Sequence, residues 1–490
     1  MATHVKVLGI IHIVFASPSR AGSPFTVLIK AAALTLLLAA LWLPSVTPAS
    51  AQIADRQALV AAMDSTAQAH AEHPLVAGIS VAVVKGADTL LMRGYGKVDL
   101  EWDVDTPADA RASYEIGSMT KQFTAAALLQ LVETGKVDLD ADLTAYLPEY
   151  DTRGHRIPVR RLLDHTSGIK GYTEMAVFGD LRMRRLPRDT LVALVQAEPL
   201  DFEPGTALIY NNSAYFLLGL IIEMVSGQSY EEYVAEYLFR PLGMEGSYYC
   251  SETAVREGRA HGYDVTPRGL ERAAYLDHTW PYAAGSLCST VGDLVRWNRA
   301  LHGGRLLSER AYRRMITPMP LEDGTPTRYA GGLGVMGEGA HYVLAHGGGI
   351  NGFLSDGRYY PQDDLTVLVL QNSTGPQGPG ALGEALASLV LGPPPQPPAI
   401  PFDGNLDELT GRYTGPARGR PLTMEVARVA DTLVFTPAGT TNPIRPAHLG
   451  GLTWGVGDVR LRFVREGTAI RKLILDQGSG IYVLKREERE

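Results

Sequence analysis

Cysteine is nearly missing from this chain: Cys250 and Cys288 are the only two in 490 residues. Without histidines at ligand spacing they make no zinc site. They leave room for one disulfide, whose formation the sequence alone leaves open. Clusters of Lys and Arg are missing too, and the net charge is -8 with both signs interspersed, which argues against nucleic acid or an anionic membrane surface as partner. No G-x-S-x-G elbow, H-E-x-x-H helix, Walker loop or dinucleotide fingerprint occurs, so the other common hydrolase designs are removed. No internal repeat is found.

Long apolar runs are scarce as well. The run Ala31–Leu43 is short for a bilayer span. With Lys30 before it and Ala49-Ser50-Ala51 after it, it reads as an export leader over residues 1–51, Gln52 being the first mature residue. That implies a periplasmic or secreted protein with no stable membrane partner once the leader is removed. The patch Val7–Phe15 is more than a leader needs and suggests a start assigned too early, an N-terminal anchor being the alternative. No cysteine lies near the cleavage point to carry a lipid.

What is present is a hydroxyl and an amine one helical turn apart, in Ser118-Met119-Thr120-Lys121, at the start of a run of helix formers that reaches Gly135. Positions i and i+3 share a helix face, so the two side chains are expected together. A serine becomes a nucleophile when a neighbouring base takes its proton, and a neutral lysine can be that base. The competing reading makes Ser118 a helix cap. A cap prefers Glu or Gln at the third helical position, whereas Lys121 sits unfavourably against the helix dipole, which would also lower its pKa. A second S-x-x-K, Ser167-Gly168-Ile169-Lys170, is discounted because Gly168 breaks the helix and no apolar helix follows.

Around this motif a helix is expected from about Asp55 to His70, and a hairpin from strands Gly78–Val84 and Thr89–Gly94. The stretch from about Val137 to Leu242 reads as helical. Strand patterns return at Gly332–Met336, His341–Ala345, Gly352–Ser355 and Leu365–Leu370, followed by a helix at Gly380–Leu391. One sheet built from both ends of a 52–391 domain, with a helical subdomain inserted, fits this order. A stiff Pro-rich linker at 392–402 then leads to a small all-β domain at 403–490, with Lys485–Glu490 as a solvated tail.

Two further clusters bear on the chemistry. Tyr210-Asn211-Asn212 precedes an apolar helix; a phenol beside a lysine ammonium can ionise below its free pKa and act as base, and Asn212 can hold a substrate carbonyl or the lysine. Read alone, the cluster is better taken as an Asn-capped helix start with Tyr210 in the core. His346-Gly347-Gly348-Gly349 follows a strand, and Gly348 and Gly349 would let an edge backbone approach a substrate and aim an N–H at an oxyanion. The plain reading is a flexible turn.

In this order and spacing, S-M-T-K, Y-N-N and H-G-G resemble the serine β-lactamase-like family, in the branch with class C β-lactamases, DD-peptidases, esterases and D-amino-acid peptidases. Leu162–Ile169, Phe202–Thr206, Pro241–Met244 and Leu370–Asn372 support the resemblance, which covers about Ala54 to Gly375. It implies an α/β (α+β) fold, an antiparallel sheet flanked by helices with an inserted all-helical subdomain, plus a small C-terminal β-barrel. It implies that Ser118 is acylated, that Lys121 and Tyr210 move protons, and that Asn212 orients a small-molecule or peptide substrate. The N–H groups of Ser118 and Gly349 would form the oxyanion hole, with no metal or organic cofactor. His346 departs from the family's K-T-G lysine, which puts strong β-lactamase action in doubt and favours esterase or peptidase action. A DD-carboxypeptidase or D-amino-acid peptidase, a weak β-lactamase and a non-turnover penicillin-binding module are the rivals.

Overall fold

The structure is a computed structural model that describes residues 49–251, 253–337, 339–395, 398–478 and 480–488. The expected leader therefore lies outside the described residues except for its last three, Ala49–Ala51, which are the first turn of a helix. No described helix is long and apolar enough to cross a membrane.

Helix α1 (Ala49–Ala71) leads to the hairpin β1 (Gly78–Lys85) and β2 (Asp88–Asp99). Helix α2 (Thr120–Glu133) follows the Ser118 turn. The middle of the chain is mostly helical, as expected, but carries one two-residue strand, β3 (Leu208–Ile209), just ahead of helix α3 (Asn212–Ser226). Strands β4 (Leu333–Met336), β5 (Val343–Ile350), β6 (Phe353–Tyr360) and β7 (Leu365–Gln371) return to the first sheet, and helix α4 (Pro379–Leu391) closes the unit.

The main sheet is antiparallel, with neighbours in the order β4-β5-β6-β7-β1-β2 and short strands at both edges. The N-terminal hairpin thus sits against the last strand of the unit, Val81 opposite Val369. The period of two in β1 divides its side chains between two cores. Ile79, Val81 and Val83 pack with Met63, Ala67, Leu382 and Leu386 of the two outer helices. Ala82 and Val84 face the other way, into a large core with Phe123, Leu128, Tyr215, Leu218 and Trp297. At about 25 cal/mol per Å² of apolar surface removed from water, that second core is what holds α2 and α3 against the sheet.

Cys250 and Cys288 are bonded, with Cα atoms 5.3 Å apart. Strand pairing brings the two segments side by side, with Tyr248 opposite Cys288 and Cys250 N–H donating to the Ser286 carbonyl.

The C-terminal region is all-β, with its own core of Tyr413, Phe435, Trp454, Phe463 and Leu473. Its strands β8 (Ala469–Gln477) and β9 (Gly480–Arg486) pair with each other, and β9 also pairs with β3, placing Ile209 opposite Gly480. The expected solvated tail is corrected here: β9 continues to Arg486, whose side chain lies 5.9 Å from the Tyr413 ring and donates to the Thr410 carbonyl. The Pro-rich segment is tied down at its end, where Ile400 N–H donates to the His448 carbonyl at 3.0 Å.

Candidate active site

The nucleophile candidate sits on a tight turn. Gly117 takes φ +52°, and a Cβ on it would lie 2.9 Å from Gly349 N. Only glycine permits both this backbone conformation and this approach to the β5 edge. Ser118 falls in the single 3-10 turn Gly117–Met119, half-buried, and caps no helix: α2 begins at Thr120 with Met119 as its N-cap and no side-chain cap bond. The cap reading of Ser118 is thereby removed.

Lys121 is fully buried. Its Nζ lies 3.2 Å from Ser118 Oγ, 2.8 Å from Asn212 Oδ1 and 2.8 Å from the Ala284 carbonyl oxygen. Burial holds its pKa well below the ordinary lysine range, and the charge of Arg418 adds to the effect. The expected helix-dipole cause is secondary to this desolvation. All three partners are acceptors, and a lysine that gives up its proton more easily than usual can turn its lone pair to the Ser118 hydroxyl while Asn212 and Ala284 keep its two N–H bonds.

Tyr210 follows β3 and is the residue before the α3 cap. Its ring centroid is 4.7 Å from Lys121 Nζ. The phenol oxygen is buried and closes no hydrogen bond among the described residues, although the Ser118 hydroxyl is near enough to pull its pKa down. Burial outweighs that pull and raises the pKa above the ordinary value. The expected readily ionised phenol is thus opposed by burial, which is the largest influence on Tyr210.

The two asparagines divide their tasks. Asn211 caps α3, its Oδ1 accepting Ala214 N–H at 2.9 Å. Asn212 accepts from Lys121 and directs its amide toward Thr173 Oγ1 at 3.4 Å, so it holds the lysine with both ends of its side chain engaged.

The H-G-G segment is strand rather than flexible turn, because β5 runs through Ile350. β4 pairs with β5 only as far as Ala345, so residues 346–350 present a free edge beside the Ser118 turn. Gly349 is exposed on that edge. Gly348 is different: a Cβ there would lie 2.0 Å from the Ile116 carbonyl oxygen. Glycine is therefore required there for packing against the nucleophile's turn. His346 is buried, its Nδ1 on the Gly347 carbonyl and its Nε2 3.0 Å from Tyr329 Oη. Those partners fix the tautomer: Nδ1–H donates to the carbonyl and Nε2 accepts from the tyrosine. Burial lowers its pKa to about 3, so no positive charge stands where the lysine of K-T-G would be.

Sequence reasoning missed the groups behind this cluster. His165 adopts φ +57°, stacks 4.5 Å from both Tyr210 and Tyr329, and accepts Asn211 N–H at 3.2 Å. Arg418 arrives from the C-terminal domain, its guanidinium carbon 5.7 Å from the Tyr210 centroid. His165 lies within the Leu162–Ile169 phrase but is used through its neighbours, and no local pattern marks Arg418, which crosses a domain boundary. Asp99, Glu101 and His261 gather within 4.8 Å of one another elsewhere, but Arg272 pairs with Glu101 and lies 3.3 Å from His261, so a guanidinium already neutralises them. A cavity of about 620 Å³ lined by Arg185, Tyr248, Arg256 and His278 is lined by none of the three catalytic candidates.

A buried serine–lysine pair, a tyrosine behind it and a free strand edge beside it, on an antiparallel sheet with helices on both faces, define a β-lactamase/transpeptidase-like protein. The family model for β-lactamase matches residues 63–391, and the chain belongs to that family. The D-aminopeptidase of Gluconobacter oxydans is 29% identical over 304 residues, 60% of this chain and 55% of that protein. The octameric penicillin-binding protein homologue from Pyrococcus abyssi superposes with TM-score 0.60 at 26% identity, over 86% of this chain and 99% of that one. A D-stereospecific amidohydrolase from Streptomyces sp. gives TM-score 0.57 at 28% identity, over 66% and 97%. The chain spans little more than half the length of the first of these relatives.

Proposed function

We propose that the protein is an exported serine hydrolase that cleaves amide or ester bonds through an acyl-enzyme on Ser118, with D-amino-acid amides and short D-peptides as its substrate class. The observation that carries this is the 3.2 Å approach of a buried lysine nitrogen to Ser118 Oγ, with Asn212 Oδ1 and the Ala284 carbonyl oxygen each 2.8 Å from the same nitrogen. Lys121 takes the Ser118 proton as Oγ bonds to the carbonyl carbon, and the N–H groups of Ser118 and Gly349 receive the oxyanion. Tyr210, protonated at rest, passes its proton to the leaving amine or alkoxide and recovers one from Lys121. Water then cleaves the ester by the reverse proton path. The relatives named D-aminopeptidase and D-stereospecific amidohydrolase support the D-amino-acid reading over the plain esterase reading. A neutral His346 disfavours strong β-lactamase action. Export is supported by the leader pattern and by a disulfide suited to an oxidising compartment.

The test is a matched pair of D- and L-alanine p-nitroanilides, with nitrocefin and p-nitrophenyl acetate alongside. The D-anilide is expected to be cleaved faster, with an acyl adduct on Ser118 seen by mass spectrometry. Ser118→Ala should abolish hydrolysis of every substrate and Tyr210→Phe should lower it by about 10²–10⁴-fold. Undiminished turnover by Ser118→Ala would reject the assignment.

A further inference from the structure

The two basic side chains that the catalytic domain places in the cluster, Lys121 and His346, are buried, and burial lowers the pKa of each. Lys170, the nearest ammonium in sequence to the 171–174 wall, pairs with Asp201 at 2.7 Å. The cation that does reach the site comes from the other domain. Arg418 lies on the turn between the strands Gly411–Gly415 and Leu422–Val429, and this turn is docked on the catalytic domain. Gly419, at φ +76°, comes so close to Glu174 that a Cβ would meet that side chain at 3.0 Å, and its carbonyl accepts from Lys170 at 3.5 Å.

The guanidinium is held by one side only. Nε donates to Glu174 and one Nη donates to Thr173 Oγ1 at 3.3 Å, while the second Nη has no hydrogen-bond partner among the described residues. Glu174 is only 12% exposed, whereas Arg418 is 40% exposed. The guanidinium is therefore fixed against a buried carboxylate with an open edge. Thr173 connects it through Asn212 to Lys121, so it stands two side chains from the reacting pair. Its charge is felt there, lowering the pKa of both Lys121 and Tyr210.

We propose that Arg418, supplied by the C-terminal β domain, is a substrate-recognition residue that binds a carboxylate of the substrate at the mouth of the Ser118 site. The inference rests on the hydrolase reading above. A planar guanidinium fork with free N–H groups matches a carboxylate, and a charge-assisted bond in a half-buried site discriminates strongly against a neutral analogue. The position also explains why the β domain pairs with β3, since that pairing fixes Tyr210 and the Arg418 turn in one frame.

The experiment compares a D-alanyl dipeptide bearing a free C-terminal carboxylate with the same dipeptide amidated, on the full chain. Wild type is expected to prefer the free acid through KM. Arg418→Ala should reduce that preference by about 10- to 100-fold, and Arg418→Lys should restore part of it. Equal losses on both dipeptides, or no preference in wild type, would overturn the role of Arg418 while leaving the Ser118 assignment intact. Failure of the hydrolase reading shows differently, as p-nitrophenyl acetate turnover that survives Ser118→Ala.

Discussion

The chain contains the same four-residue spacing twice and uses it in opposite ways. In Ser118–Lys121 the backbone turns once and enters a buried helix, and the amine finds a hydroxyl, an amide oxygen and a carbonyl. In Ser167–Lys170 the backbone is thrown off helix geometry by Gly168 at φ +77°, and Lys170 leaves toward Asp201. Ser167 Oγ receives only the Ile169 N–H, at 3.4 Å. An amine among neutral acceptors in the core sheds its proton, while one beside a carboxylate forms an ion pair. Spacing is thus common to both, and what differs is the chemical character of the partners that folding delivers.

The largest way to break the comparison is to remove each amine. Lys121→Ala is expected to lower kcat/KM by on the order of 10⁴-fold or more. Lys170→Ala should keep kcat/KM within about tenfold and instead cost about 1–3 kcal/mol of stability by stranding Asp201, read by urea unfolding. Comparable kinetic losses from both would mean the two motifs are not distinct.

The contrast between buried neutral groups and ion pairs also sets the acid response. His346 and His302 have pKa values lowered to about 3 by burial. In the unfolded chain each takes a proton below about 6.5, whereas the folded chain resists until far lower pH. Stability from these groups is intact above pH 6.5 and is lost as pH falls toward 3, at about 1.4 kcal/mol per pH unit for each histidine. A thermal-melt series from pH 7 to pH 4 is expected to show this decline, and His302→Asn should flatten it. A flat wild-type profile would show that these rings are already accessible to protons.

The smallest effect expected is at the glycine that separates the motifs. Gly168→Ala places a Cβ 2.0 Å from the Phe202 carbonyl oxygen in a left-handed conformation. It should cost about 1–3 kcal/mol in chemical denaturation while leaving the Ser118 pair in place. A neutral result would show that the 165–170 loop yields freely.

Much of the framework was legible because it follows local periodicity. The alternation in Gly78–Val84 becomes β1 with its odd and even residues in two cores, and the apolar run after Lys121 becomes α2. Tyr210 and Ser118 were legible as site residues through motif order, and they meet in one cluster around Lys121. The close packing of Gly348 on the Ile116 carbonyl was not legible, because a glycine for close packing and a glycine for substrate approach look identical in sequence. Tyr329 and Arg418 gave no signal, and His165 gave none beyond its place in Leu162–Ile169, since each acts through a contact more than a hundred residues away in at least one direction.

The amino-acid order by itself determined which residue types were available and at what helical or strand phase, because hydrophobic period and glycine placement are local properties of the chain. Only the tertiary structure decided the protonation of the site. Burial lowers the pKa of Lys121 and raises that of Tyr210, and the cation near both comes from a different domain. Desolvation and long-range charge depend on the full three-dimensional surroundings, which no four-residue pattern encodes.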